Sequence, residues 1–282
     1  STNWQDLVTR TGAQQNYNLG FEGGNAKTQY STSLNYFDES GVVERDEFSR
    51  ITARVNLDSK LSDVISVGTS TILSYRYRDG RGPRFTDAVL LSPIVPAFDS
   101  TGTYIFQPNF ANPRKSPLAQ LLDEEESRET RIFSTVYGGL DLGGGFQFRT
   151  NLNFDVSNRR GGYMYPQKVP TEGFTISGAS NDTNYGYLWN NILSFNRDFG
   201  KHYLMVTAVH EMQYDRTELY TIDGQMQQFD RSLWYNLSTN QDPQVGSSLV
   251  EQSLLSFLGR INYTFNDKYI LSLSGRFDGA SQ

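Results

Sequence analysis

The sequence predicts an all-β fold, an antiparallel transmembrane β-barrel, and three observations predict it. Apolar and polar residues alternate with period two through ten segments, the pattern of strands with one face in a different medium from the other. The connections between those segments are alternately very short and very long, so that every long one falls at the same end of the hairpins. No apolar run approaches the ~18 to 20 residues a helix needs to cross hydrocarbon. Half-buried strands of a soluble sandwich or propeller also alternate, and only the one-sided loop length separates the two architectures.

The elements follow in order. In 14–22, Tyr17, Leu19 and Phe21 alternate with Asn16, Asn18 and Glu22. In 28–38, Tyr30, Leu34 and Tyr36 oppose Gln29, Ser31, Ser33 and Asn35. The third segment, 50–58, sets Ile51, Ala53, Val55 and Leu57 against Thr52, Arg54 and Asn56, and the fourth carries Ile65, Val67, Leu73, Tyr75 and Tyr77 on one parity. Segments 131–142, 186–195 and 202–214 carry apolar residues on both parities, so strands are assigned there without faces. The cleanest strand is 146–156, where Phe146, Phe148, Leu152, Phe154 and Val156 oppose Gln147, Arg149, Asn151, Asn153 and Asp155. Two late strands, with Leu255, Phe257, Ile261, Tyr263 and Phe265, then Tyr269, Leu271, Leu273 and Phe277, complete the set. Turns at 23–27, 59–63, 143–145, 196–201 and 266–268 are tight and contain Gly, Asn or Asp. The connections at 39–49, 78–130, 157–185 and 215–252 are the long ones. Tyr and Phe at strand ends fit aromatic girdles, and the Asn-, Ser- and Arg-rich parity fits a wet interior.

Composition narrows the chemistry. With 37% hydrophobic and 13% aromatic residues the chain folds, and with no cysteine it has no disulfide, thiolate metal site or thiol nucleophile. A net charge of -6 disfavours nucleic acid as a partner. Only His202 and His210 are available for imidazole chemistry. His210 with Glu211 lacks the second His of a zinc helix, and 143–145 leads into a strand without the Lys-Ser/Thr ending of a phosphate loop. Asp123-Glu124-Glu125-Glu126 has the wrong spacing for a Ca²⁺ loop and reads as a solvated charge run. Asp215 and Glu218 are a carboxylate pair whose spacing does not fix a glycosidase geometry. No enzyme activity, metal or cofactor is expected. In the longest connection, 85–91 and 116–122 have the pattern of short helical turns.

The residues also carry a resemblance. Thr2-Asn3-Trp4-Gln5-Asp6-Leu7, Asn16-Tyr17-Asn18-Leu19, Gly23-Gly24-Asn25-Ala26-Lys27-Thr28, Ser33-Leu34-Asn35-Tyr36-Phe37 and Arg54-Val55-Asn56-Leu57-Asp58 follow one another as in SusC/RagA-type TonB-dependent transporters of Bacteroidetes. So do Gly259-Arg260-Ile261-Asn262-Tyr263-Thr264-Phe265-Asn266-Asp267-Lys268-Tyr269 and Arg276-Phe277-Asp278-Gly279. The resemblance implies outer-membrane import of an oligosaccharide or peptide, energised through TonB, with a SusD-like surface lipoprotein on the long-loop face. It also implies a signal sequence, an N-terminal plug that contacts TonB, and strands beyond the last segment. None of these lies in 1–282, so this stretch is expected to be an interior part of a barrel that closes with 22 strands. A soluble or surface-associated glycan-binding β-domain and a small passive pore of ten strands are the alternatives.

Loop aromatics beside charged groups are the candidate substrate-binding residues. They are Tyr163 and Tyr165, near Arg159 and Arg160, and Trp234 and Tyr235, near Asp230 and Arg231. Packing of the loops against one another or against a partner is the competing role. Tyr104, Phe106 and Phe110 are further loop aromatics expected to divide between a lid interface and a solute chamber.

Overall fold

The structure, a computed structural model, describes residues 1–80, 82–108, 116–166 and 174–281. Ten strands make one antiparallel sheet in sequence order. They are β1 (Ala13–Gly24), β2 (Thr28–Ser40), β3 (Glu47–Lys60), β4 (Ile65–Asp79), β5 (Glu124–Gly143), β6 (Phe146–Tyr165), β7 (Ile176–Phe199), β8 (His202–Gln225), β9 (Gln241–Phe265) and β10 (Tyr269–Ser281). Each strand pairs only with its neighbours in sequence, so among the described residues β1 and β10 each keep one unpaired edge.

The register assigns both faces, because directly opposed residues share a face. Leu19, Leu34, Ala53, Leu73, Ile132, Val156 and Tyr185 stand opposite one another in turn from β1 to β7. Leu152, Trp189, Met212 and Leu255 continue the belt from β6 to β9, and Ile261 meets Leu273 on β10. Most of these side chains are exposed, although they are the most apolar in the chain. One continuous, outward apolar belt therefore crosses all ten strands, as the wall of a membrane-spanning β-barrel requires.

That chain of pairings settles the three segments whose faces the sequence left open. Ile132, Val136 and Leu140 share the belt, as do Trp189, Leu193, Leu204 and Val206. The apolar residues of opposite parity are packed on the polar face. Tyr137 shows why they belong there: its hydroxyl bonds Asp58, Arg149 lies 4.0 Å from its ring, and Gly68 leaves the space the ring fills.

The strands are longer than alternation alone predicts. β1 to β4 run 12 to 15 residues, but β5 to β9 run 20 to 25. About ten residues span the bilayer, so the surplus projects beyond the belt at the long-loop end. There both faces are wet. Asn158, Arg160, Asn181, Thr183, Arg216 and Glu218 sit on the parity that is apolar lower down, so alternation vanishes while backbone pairing continues. The connections shrink accordingly, to 166–175 after β6 and 226–240 after β8, and only 80–123 remains long.

At the opposite end the turns are tight. In the 266–268 connection, Asn266 and Asp267 both take left-handed backbone conformations (φ 51° and 50°) as the central residues of a turn that the Lys268 N–H closes onto Phe265 O at 3.1 Å.

The 80–123 connection has a core of its own. Helix α1 (Phe85–Leu90) and a 3₁₀ turn at Ala119–Leu122 occupy the two places where helical turns were predicted. Ala88, Leu91, Ala97 and Leu118 pack around Trp4 and Val8 from the N-terminal segment. Trp4 is 2% exposed, and its indole N–H donates to Ser92 O at 3.2 Å. Arg45, in the β2–β3 turn, donates to Leu121 O and pairs with Glu124 at 2.8 Å. The N-terminal segment, the β2–β3 turn and the described part of 80–123 form one packed assembly.

Candidate functional site

The polar face is a surface of fixed donors and acceptors. Strand neighbours place complementary groups side by side: Arg131 donates from Nε and Nη2 to the two oxygens of Asp155, at 2.8 and 2.5 Å. Arg276 spans Asp278 and Glu211, at 2.8 and 3.2 Å, and Arg159 pairs with Asp182 at 2.9 Å. Asn35 donates to Asn16, and Asn151 to Asn190, both at 2.6 Å. Such a wall offers hydrogen-bond donors and acceptors of the kind that hydrated or hydroxyl-rich solutes use. Among the described residues no group of three or more His, Asp or Glu is arranged to hold a metal ion.

The four aromatic candidates separate into two pairs. Tyr163 and Tyr165 lie in β6, not in a loop, because that strand continues past the belt. Both are on the polar face. Their rings stack with centroids 5.1 Å apart, Tyr163 Oη donates to Asp223 Oδ1 at 2.5 Å, and Tyr165 Oη to Glu125 at 3.4 Å. Gly178 makes this possible, since a Cβ there would come within 2.7 Å of the Tyr163 ring. Burial, then the bond to Asp223, pushes the Tyr163 phenol well above its ordinary value.

Trp234 and Tyr235 lie in the 226–240 loop, which folds over the other face of the wall. The Trp234 indole lies flat on Gly162, where a Cβ would sit 2.3 Å from the ring, and packs with Met164 and Leu237. It is 6% exposed. Tyr235 donates to Glu126 at 3.2 Å beneath the Arg160 guanidinium, 5.7 Å from its ring. The sheet itself stands between the two pairs, so no single ligand touches all four. The parity of 160–165 contains that division: Gly162 and Tyr163 point to opposite faces.

The remaining sequence candidates resolve in the same way. Asp215 and Glu218 have opposite parity, and Glu218 is held by Arg216. His210 meets Asn191 at 3.2 Å on the belt face, while Glu211 meets Arg276 on the polar face. In the acidic run, Glu124 and Glu126 pair with Arg45 and Arg128, at 2.8 and 2.9 Å. Residues 143–145 form a turn with all three glycines at positive φ. Tyr104 packs against the loop core and against Phe98, and Phe110 lies outside the described residues.

No family model matches the chain. Among curated proteins it is 30% identical to TonB-dependent receptor P39 of Formosa agariphila, over 99% of this chain and 27% of that protein. It is 25% identical to the TonB-dependent receptor SusC of Bacteroides thetaiotaomicron, over 100% of this chain and 30% of that protein. The chain thus spans about three-tenths of the length of the curated relatives it matches. Among solved structures, the RagAB peptide transporter superposes with a TM-score of 0.83 at 18% identity, over 99% of this chain and 33% of that one. The Pseudomonas aeruginosa protein FpvA, solved with bound pyoverdines, superposes with a TM-score of 0.61 at 12% identity, over 95% and 36%. These likenesses agree with the barrel-wall fold derived from the register.

Proposed function

The chain resembles SusC/RagA-type TonB-dependent receptors along its whole length, and from that premise we propose that it forms part of the barrel wall of an outer-membrane importer. The importer takes up a nutrient too large for simple porins, an oligosaccharide or a peptide, and TonB energises it through a region outside these residues. The observation that carries this reading is the belt. Ten strands expose one apolar face to lipid while the other presents fixed ion pairs and amide ladders to water.

Within the lumen, Tyr163 and Tyr165 are the substrate-facing aromatics, offering stacked rings beside the Asp223 and Glu125 carboxylates. Trp234 and Tyr235 brace the 226–240 loop from outside the wall. That loop and the packed 80–123 assembly make the rim on which a SusD-like lipoprotein seats.

The test is a deletion of the full-length gene in its own host, grown on a panel of oligosaccharides and peptides, with the protein located by membrane fractionation. The expected result is outer-membrane residence and loss of growth on a restricted part of the panel. A full-length protein that is monodisperse in plain buffer would overturn it in favour of a soluble glycan-binding domain. Ion conductance by the purified protein without any TonB dependence of uptake would favour a passive pore.

A further inference from the structure

Among the described residues, one groove on the polar face gathers more arginines than carboxylate partners. A groove of about 640 Å³ crosses β1 to β5, and four of its lining residues are arginines: Arg50 and Arg54 on β3, Arg76 on β4 and Arg131 on β5. All the residues lining it share the polar parity, so a depression spanning five strands reports a wall that curves inward there. Two of the four guanidinium groups have carboxylates: Arg76 meets Glu129 at 3.5 Å and Arg131 meets Asp155 at 2.5 Å. Arg50 and Arg54 have no ion pair among the described residues.

The register sharpens the imbalance. Arg50 and Arg76 stand directly opposite each other on adjacent strands, a placement in which like charges destabilise a sheet. The Arg50 Nε is buried without a hydrogen-bond partner, and its guanidinium leans on the Phe37 ring at 5.4 Å rather than on an acid. An unpaired buried donor and a like-charge pair both cost stability, and an anion between the two guanidinium groups offsets the repulsion. A guanidinium fork matches the two oxygens of a carboxylate or a sulfate and binds them bidentately. Asn35, Thr52 and Ser74 on the same lining supply hydrogen bonds for neighbouring hydroxyl or amide groups.

We propose that the Arg50/Arg76 pair, flanked by Arg54 and Arg131, is a lumenal subsite for the carboxylate or sulfate groups of the imported solute, which selects anionic oligosaccharides or acidic peptides over neutral ones. This rests on the import reading above. It goes beyond it by naming the charge class of the cargo and the residues that read it.

Two measurements on the full-length protein test the subsite. In the first, purified protein is crystallised with selenate as an anomalously scattering stand-in for sulfate. The expected peak lies within hydrogen-bond reach of both Arg50 and Arg76, and it is absent from R50Q/R76Q. No peak, or an acidic side chain from another part of the full-length protein filling the groove, overturns the subsite.

In the second, host strains carrying wild type, R50Q/R76Q or R50K/R76K are grown on paired neutral and uronate- or sulfate-bearing oligosaccharides and neutral and acidic peptides, with protein abundance in the membrane measured in each. The expected result is gene-dependent growth on an anionic member. The half-saturating concentration should rise by roughly tenfold to a hundredfold in R50Q/R76Q, and by less in the lysine variant, which keeps charge but loses the fork. Gene-dependent growth only on neutral solutes, or an R50Q/R76Q strain matching wild type at equal abundance, overturns the proposal and leaves import standing. Normal growth of the deletion strain on every member overturns import instead, and the selenate density then decides the anion site by itself.

Discussion

Replacing Val55 with arginine places a charge on the belt one residue away from an arginine the chain already carries at 54. Val55 is five residues from the end of β3 at Lys60. At ~3.3 Å per residue and a tilt of ~40°, it stands about 13 Å above the short-turn rim, near the middle of an apolar band ~25 Å tall. Its opposed neighbours are Thr32 and Thr71, neither able to pair a cation. An arginine at the midplane of a barrel's lipid face costs about 2–4 kcal/mol, a change of roughly thirtyfold to several hundredfold in the folded ratio. The assay is denaturant unfolding of the full-length protein in lipid vesicles.

Val245→Arg is the matched control. It lies on the same parity, paired with Ile222 and 76% exposed, but near the far end of β9, well beyond the belt. Val55→Arg is expected to lower stability by the stated amount and Val245→Arg to change it by less than ~0.5 kcal/mol. Equal effects of the two, or a neutral Val55→Arg, would refute the assignment of this face to lipid.

Trp4→Ala empties the centre of the loop core, a truncation that costs about 3–5 kcal/mol. Because that core is separate from the barrel wall, protease cleavage within 80–123 is expected to rise by roughly two orders of magnitude or more with barrel unfolding unchanged, and an unchanged cleavage rate would count against it. Replacing 80–123 with a short Gly/Ser turn is expected to leave the protein inserted but to abolish lipoprotein co-purification and uptake; co-elution as before would sink the partner assignment. Tyr163→Ala with Tyr165→Ala is expected to weaken uptake without loosening the 226–240 loop, whereas Trp234→Ala loosens the loop, as read by proteolysis at that segment. Tyr163 also predicts an alkaline effect. Its folded-state value is raised, so the stabilisation it gives is complete below the ordinary tyrosine value near 10 and is lost as pH climbs through the higher folded value. Tyr163→Phe is expected to remove one late-titrating phenol from an absorbance titration and to flatten this alkaline loss; an unchanged titration curve would contradict it.

What the sequence made legible follows the medium each residue meets. Where one face is lipid and the other water, as in 146–156, period two is written directly into residue type and the faces follow at once. Where apolar residues also pack inside the wall, as Tyr137 does over Gly68 and beneath Arg149, alternation blurs, and only the pairing register recovers the faces. Beyond the belt both faces are wet, so Tyr163 and Tyr165 read as loop residues although they are strand. Their division from Trp234 depends on which side of the sheet the 226–240 loop falls, which no local pattern encodes. The Arg50–Arg76 opposition was likewise invisible until the register placed residues 26 positions apart side by side.

The order of pairing has a kinetic meaning. Every backbone pairing between the described strands joins sequence neighbours, so the sheet can grow by adding one hairpin at a time, and eight of the nine connections between strands are modest turns or loops. The exception is the step from β4 to β5, where residues 80–123 must be closed before Asp79 meets Glu126. Such a loop is about three doublings longer than a tight turn, which adds ~2 kcal/mol of closure entropy at that step alone. The wall should therefore assemble as two blocks, β1 to β4 and β5 to β10. The core that gathers Trp4 and Val8 against Leu91 and Leu118 ties the start of the first block to the connection leading into the second, shortening the search by which the two find each other.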